Sequence, residues 1–520
     1  MPERLAKKMK VAAKVAIRLW MALVFVGLLI APGCTVGPNY KRPDVAVQQT
    51  WIHPPATQAS VIDVATPPSA WWTTLNDPKL NSLVQSACRG SLSVSIAKSR
   101  IREARYERGI AASRLLPSVG GDGSYSFNRA NGPLFPAVTN DYQFYAAGFD
   151  ALWEADIFGG VRRSIEAAED DVEAEQDAER GAVVSVVAEV ARSYVELRTT
   201  QQRILIANAN IQTQSDTLDL TRRLSAAGIV NDLDVTRAQA ELTQTQSQVP
   251  LLEIQEKASI HQLGILLGEA PEALSADLKS PGPIPSVPRR VPIGLPSQLL
   301  RRRPDVRQVE RQLAAATAQI GVAEADLYPQ VTLTGDFGVG AEDFGRMFNW
   351  SSRYVGIGPA VRWQLFEGGR ILANIDARKA IEQELLDQYK LTILNALREA
   401  ADALVAFENQ QRQFNLLSQS VASNQDSVRI ASDQYAGGTV NYLSLLDTQR
   451  SLLRTQDAMA QSQGEVTLSV IALYKAIGGG WEKVEQEQAQ DPSNRINKPP
   501  SIVTSDLQRM TPRHERMRRT

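Results

Sequence analysis

The chain has 520 residues, enough for several ordinary domains or one elongated one. Its 56 Lys and Arg offset 57 Asp and Glu, and the formal charge of -1 excludes bulk attraction to nucleic acid. The two cysteines and three histidines share no metal-ligand spacing, and no nucleophile elbow, phosphate loop or zinc-protease helix is present, so neither catalysis nor a cofactor is expected.

The N-terminus reads as an address. Lys7, Lys8, Lys10, Lys14 and Arg18 precede an apolar run of thirteen residues, Leu19 to Ala31, and Pro32-Gly33-Cys34 follows. A membrane-spanning helix needs about 20 apolar residues, so residues 1–33 read as a secretory signal peptide. A small residue directly before a cysteine resembles a bacterial lipoprotein signal, with Ala31 where leucine is usual. That resemblance implies cleavage before Cys34 and lipidation of its thiol. Acyl chains contribute about 0.8 kcal/mol per buried methylene, a firm anchor to outer membrane lipid when several are attached.

Residues 34–78 are rich in Pro, Thr and Trp and lack a clean period, which predicts an extended segment wrapping on the body. A helix is predicted from Asp77-Pro78-Lys79 to about Arg114, with Cys88 as a small core residue inside it; Pro117 ends it. The period then changes to two. Val119, Gly121, Gly123, Tyr125 and Phe127 alternate with Asp122, Ser124, Ser126 and Asn128. After a loop reaching about Asn140, Tyr145, Ala147, Phe149, Ala151 and Trp153 share one face. The pattern returns at Val331, Leu333, Phe337 and Val339, and again at Val355, Ile357, Val361, Trp363 and Leu365. Strands of about ten residues, apolar on one face only, suit a membrane β-barrel.

Long helices follow each strand pair. In the second, an apolar residue recurs every seven positions: Ile393, Ala400, Phe407, Phe414, Val421, Val428, Tyr435. Subtracting 210 gives Val183, Val190, Leu197, Ile204, Ile211, Leu218 and Ser225. A sustained heptad under-winds a helix and drives supercoiling against partners. Each helix is expected to run roughly 60 residues, on the order of 90 Å. The row three positions before each seam residue turns polar (Gln201, Asn208, Ser215, Arg222; Gln411, Ser418, Gln425, Ser432), as the inner face of a water-filled tube or a solvated outer face requires.

The whole chain repeats at that offset. Trp153 answers Trp363, and Ala227-Gly228-Ile-Val230-Asn231-Asp-Leu233 answers Gly437-Gly438-Thr-Val440-Asn441-Tyr-Leu443. The first repeat spans 79–270 and the second 304–480, each reading short helix, two strands, long helix, turn and returning helix (232–268 and 442–477). Residues 271–303 form a Pro-rich linker without regular structure, and 481–520 a polar tail expected to be disordered. The fold class is mainly α with membrane β. Four strands cannot close a barrel alone, because an open edge leaves backbone groups unpaired in lipid, and the smallest bacterial barrels have about eight. Self-association is therefore expected.

Cys34-Thr-Val-Gly-Pro-Asn-Tyr-Lys-Arg-Pro43, Trp153-Glu-Ala-Asp-Ile-Phe-Gly159 and Tyr435-Ala-Gly-Gly-Thr-Val-Asn-Tyr-Leu-Ser-Leu-Leu-Asp-Thr-Gln-Arg450 resemble the outer membrane factor family, lipoproteins of the NodT type in resistance-nodulation-division efflux. The resemblance covers roughly residues 19 to 480. It implies a homotrimer with a β-barrel in the outer membrane and an α-helical barrel across the periplasm, working as a passive conduit. The implied partners are an inner-membrane pump and a periplasmic adaptor protein that meets the turns at Gly228, Val230, Asn231, Gly438, Val440 and Asn441. Matched residue by residue, Leu443, Asp447 and Arg450 constrict the periplasmic end. Spacings of four and three put them on one helical face, and a ring of Asp447 carboxylates would favour cations; a local Asp447–Arg450 ion pair is the plainer alternative. Type I protein secretion would use the same fold. A structural coiled-coil lipoprotein would not need the strands.

Overall fold

The computed structural model describes residues 35–45, 61–63, 68–128, 142–288, 290–292 and 301–490. The signal peptide, Cys34, the loop at 129–141 and the tail beyond Gln490 lie outside the described residues. The helices are α1 (Pro78–Gly90), α2 (Leu92–Ser113), α3 (Gly160–Ala226), α4 (Asp232–Gln246), α5 (Val249–Leu267), α6 (Pro304–Ala325), α7 (Arg370–Ala436), α8 (Tyr442–Ala476) and α9 (Trp481–Gln490). The main strands are β1 (Ser118–Asn128), β2 (Tyr142–Ala155), β3 (Gln330–Ala341) and β4 (Arg353–Arg362). The chain divides into two compact units. One holds the described residues of Ser95–Glu179 and Pro304–Leu397 with residues 35–45; the other holds the remaining described residues.

In the first unit the four strands form one antiparallel sheet in the order β1-β2-β3-β4. Its register puts Gly121, Phe149, Phe337 and Val355 in one row, and Val119, Ala151, Gly335 and Ile357 in the next. Paired residues point the same way, so the period-two pattern becomes a continuous apolar face across four strands. Val119, Phe149, Phe337, Val355 and Ile357 on it are exposed. The opposite face carries Gly120, Asp150, Asp336 and Gly356 in one row. Two indoles tie strand ends to helix ends alike: Trp153 Nε1 donates to Leu115 O at 2.9 Å, and Trp363 Nε1 to Leu327 O at 3.1 Å. Phe158 stacks on Tyr328 at 4.6 Å. Small residues let the helices meet closely, with Ala167 packed on Ala315 and Ala318.

Helices α3 and α7 each have 67 residues. Their seam residues Val183, Val190, Leu197, Leu218, Ile393, Ala400, Phe407, Val421 and Tyr435 are buried. Ile204, Ile211, Phe414 and Val428 are half-buried. The polar row divides. Asn208, Arg222, Ser418 and Gln425 are exposed, but Gln201 is buried, and its Nε2 donates to Glu256 Oε1 at 2.8 Å and Leu278 O at 2.9 Å. That side chain is a packing joint and faces no water.

Several boundaries differ from the sequence reading. The helix expected over 79–114 is two, divided at Ser91. Just before the break, backbones approach so closely that a Cβ at Gly90 would lie 2.3 Å from Leu267 O. The returning helix expected over 232–268 also breaks: α4 ends at Gln246 and α5 starts at Val249 with Pro250 in its first turn, where the missing N–H costs nothing. The second returning helix, α8, is continuous over 35 residues. Strand β4 stops at Arg362, so Trp363 and Leu365 lie beyond it.

The linker at 271–303 is not wholly irregular. Among the described residues it contains a helical turn, Ser275–Leu278, and Arg290–Pro292 pairs in parallel with Val61–Asp63. The tail begins as helix α9, where Trp481 Nε1 donates to Arg302 O at 3.2 Å and Arg302 pairs with Glu482 at 2.6 Å. Nearby Trp71 is buried and stacks on Tyr474 at 5.2 Å.

Candidate functional site

The turns between α3 and α4 and between α7 and α8 are built alike. Gly228 and Gly438 take φ of +74° and +68°, the left-handed conformation that ends a helix cheaply only at glycine. The following amides reach back, Ile229 N to Leu224 O and Thr439 N to Gln434 O, both at 2.9 Å. Asn231 then caps α4 by accepting from Asp234 N at 3.1 Å, and Asn441 caps α8 by accepting from Ser444 N at 3.1 Å. Val230 and Val440 pack against a cluster that includes Leu218, Leu242, Tyr435, Tyr442, Leu445 and Leu446. The Gly-x-Val-Asn residues are therefore spent on reversing the chain. The apolar side chains left in solvent at these turns are Ile229, Leu233 and Leu443. The first two were not singled out from the sequence, because nothing in the repeat pattern distinguishes an exposed apolar side chain from a packed one.

Two hydrogen bonds fix the packing beneath the turns. Tyr435 OH donates to Thr221 Oγ1 at 3.1 Å, and Gln449 Nε2 donates to Thr217 Oγ1 at 2.9 Å. Helix α8 is amphipathic as it leaves Asn441: Tyr442, Leu445, Leu446 and Gln449 are buried, while Leu443, Asp447 and Arg450 are exposed. The three residues matched to a constriction thus share the free face of one helix. Arg450 does not bond Asp447. Its Nε donates to Glu241 Oε2 on α4 at 2.8 Å. That bond to Glu241 holds the guanidinium above its ordinary pKa, with Asp447 a smaller influence. Burial, aided by Glu241, pushes the Tyr442 hydroxyl up to about 12.

A second constellation lies in the sheet unit, where the segment after Cys34 is clasped at the start of α3. Val36 N donates to Phe158 O at 3.1 Å. Arg163, with only 2% of its surface exposed, donates from Nε to Val36 O at 2.9 Å and from Nη2 to Asn39 Oδ1 at 2.7 Å. Gly37 has φ +89°, and a Cβ there would sit 2.4 Å from Gly321 Cα. Asp156 caps α3, accepting from Val161 N and Arg162 N at 3.0 Å each. The strap thus docks within a few residues of the end of β2.

An open sheet with an exposed apolar face, joined to helices much longer than a globular core uses, defines an integral outer-membrane protein of the channel-forming kind. The model of the outer membrane efflux protein family matches residues 83–269 and again 295–479. The chain belongs to that family. Nodulation protein T of Rhizobium leguminosarum bv. trifolii is 31% identical over 465 residues, 88% of this chain and 97% of the relative. The probable efflux pump outer membrane protein TtgC of Pseudomonas putida is 30% identical over 464 residues, 88% of this chain and 94% of the relative. The solved outer-membrane channel OprN superposes with a TM-score of 0.81 at 35% identity, covering 86% of this chain and all of its own.

Proposed function

We propose that this chain is the outer membrane channel of a tripartite efflux system. Three copies pool their strands into one barrel and their helices into one periplasmic tube. The tube passes small molecules (drugs, toxic compounds or metal ions) handed over by an inner-membrane pump through a periplasmic adaptor. The observation that carries this reading is the open sheet: β1 and β4 are its edges, and its apolar face is exposed. In lipid such edges must be paired, and copies of the same chain offer matching ones. Two helices of 67 residues, the paired Gly-x-Val-Asn turns and the paired indole bonds support a tandem repeat as the building unit. The family implies three copies.

Within this reading Cys34 is the lipid anchor. The strap that would follow it is clasped by Arg163 close to the end of β2, which suits an anchor at the membrane surface. Leu443, Asp447 and Arg450 form the periplasmic constriction, and their common free face supports it. The adaptor meets the two turns, where Ile229 and Leu233 supply apolar surface beside the predicted glycine, valine and asparagine positions. Planar-bilayer conductance of the purified full-length protein, with chemical crosslinking to count subunits, tests the proposal. Conducting trimers are expected; a monomer without conductance would remove it.

A further inference from the structure

The short helix before each strand pair and the long helix after it are copied in structure as well as in sequence. Helix α6 repeats α2 at 212 positions, Leu92 to Pro304 and Ser113 to Ala325, and both have 22 residues. Helix α7 repeats α3 at 210 positions, Gly160 to Arg370 and Ala226 to Ala436, and both have 67 residues. The indole bonds keep the same offsets, since Leu115 answers Leu327 and Trp153 answers Trp363. Each short helix touches the long helix of its own repeat. Arg108 Nη2 on α2 donates to Glu169 Oε1 on α3 at 2.6 Å, and Thr317 Oγ1 on α6 donates to Glu382 Oε1 on α7 at 2.8 Å. Helix α6 makes a second contact, across the repeats, with α3. There Ala315 and Ala318 pack on Ala167, and Arg311 lies 3.2 Å from Asp170. The three alanines are buried, and the ion pair is half-buried. The matching positions are Glu103, Tyr106 and Ser99 on α2, and Ala377 and Ala380 on α7. All five are exposed. The surfaces covered where the first repeat meets the second are therefore bare on the outer flanks of the chain.

We infer that α7 of one copy packs on α2 of the next in the register that α3 and α6 use inside the chain, so that Ala377 meets the partner subunit's Glu103 and the partner subunit's Tyr106. This rests on the self-association proposed above, and adds which surfaces meet and how they are aligned. The flanks suit each other. Tyr106 is 70% exposed and stands where α6 has Ala318, and the small Ala377 and Ala380 leave room for its ring. The Arg311–Asp170 pair is replaced by Ser99 and Ala380, two small neutral residues that bring no charge to desolvate. The sheet takes the same step. Strand β2 leads into α3 and pairs with β3, which follows α6. One step outward, edge strand β4 leads into α7, and edge strand β1 follows α2.

Paired cysteines test the register in the full-length protein in detergent. Alanines in contact hold their Cβ atoms about 4 Å apart, the separation that a disulfide spans. Glu103→Cys combined with Ala377→Cys should therefore give disulfide-linked oligomers on denaturing gels after mild oxidation. Tyr106→Cys with Ala377→Cys is the second pair, and the wild type, which keeps Cys88, is the control. Glu103→Cys with Glu384→Cys is displaced by two turns, about 10 Å, and should link at least about tenfold less. Glutaraldehyde crosslinking of the same samples counts subunits. Oligomers in which neither matched pair links more than the displaced pair, as another protein's place on these flanks would give, overturn the inference and leave the channel reading standing. Monomers throughout, wild type included, remove both.

Discussion

Arg450 on α8 and Glu241 on α4 are 209 residues apart in sequence, yet Arg450 Nε lies 2.8 Å from Glu241 Oε2. The Glu241 side chain is 8% exposed and that of Arg450 is 44% exposed. The carboxylate is therefore the dehydrated partner, and losing its cation should cost more than the reverse. Arg450→Met should destabilise the protein by about 2 kcal/mol, because a buried charge is left alone. Glu241→Gln should cost about 1 kcal/mol, because the half-exposed guanidinium regains water. Denaturation of the two variants and the double variant measures this asymmetry; equal costs would contradict it.

Asp447 stands free on the same helix. In the proposed assembly three copies face one axis. Asp447→Ala should raise single-channel conductance and antibiotic leakage while leaving thermal stability within about 0.5 kcal/mol, as expected of an exposed side chain. Unchanged leakage through an assembled channel would remove it from the gate.

The two faces of β4 should respond oppositely. Ile357 lies on the apolar face and is 80% exposed in the single chain. Ile357→Arg should cost about 2–4 kcal/mol if that face meets the middle of the bilayer, read as loss of heat-resistant oligomer on gels. Gly358 lies on the polar face, and a Cβ there meets nothing within 4 Å. Gly358→Ser should assemble normally.

Arg163 holds the strap through Val36 O and Asn39. Arg163→Met removes these bonds together with those to Gly37 O and Glu166 while keeping much of the packing, and should cost about 2–3 kcal/mol. Limited proteolysis should then cut between Thr35 and Tyr40 sooner than in the wild type.

Burial pushes the Asp170 carboxyl up to about 6 from 3.8, against the opposing pull of Arg311 at 3.2 Å. The folded state then holds a proton more tightly than the unfolded state, so this group favours folding below about pH 4. That contribution is lost as pH rises through 6. The slope should amount to on the order of 1 kcal/mol after solvent screening. Asp170→Asn should flatten the wild-type decline between pH 4 and 6 in denaturant titrations.

Local chemistry made much of this architecture legible in the sequence. Period-two alternation marked all four strands, because a sheet with one apolar face writes that face at every second residue. The heptads marked α3 and α7, and Gly228, Asn231, Gly438 and Asn441 marked the reversals, because left-handed backbone and helix caps demand particular residues. The breaks near Ser91 and Ser247 leave no mark in the apolar period. The first accompanies a close approach of Gly90 to Leu267, which only the folded chain creates; the second coincides with Pro250, whose ring suits a first helical turn.

By itself, then, the sequence determined the elements, their periods and their order, since each depends on neighbours a few residues away. Tertiary structure alone decided that Gln201 is a buried joint, that Arg450 pairs with Glu241 and not with Asp447, and that Arg163 clasps the strap. Those outcomes depend on which side chains meet across hundreds of residues, and a hydrogen bond between distant helices leaves no period in the chain.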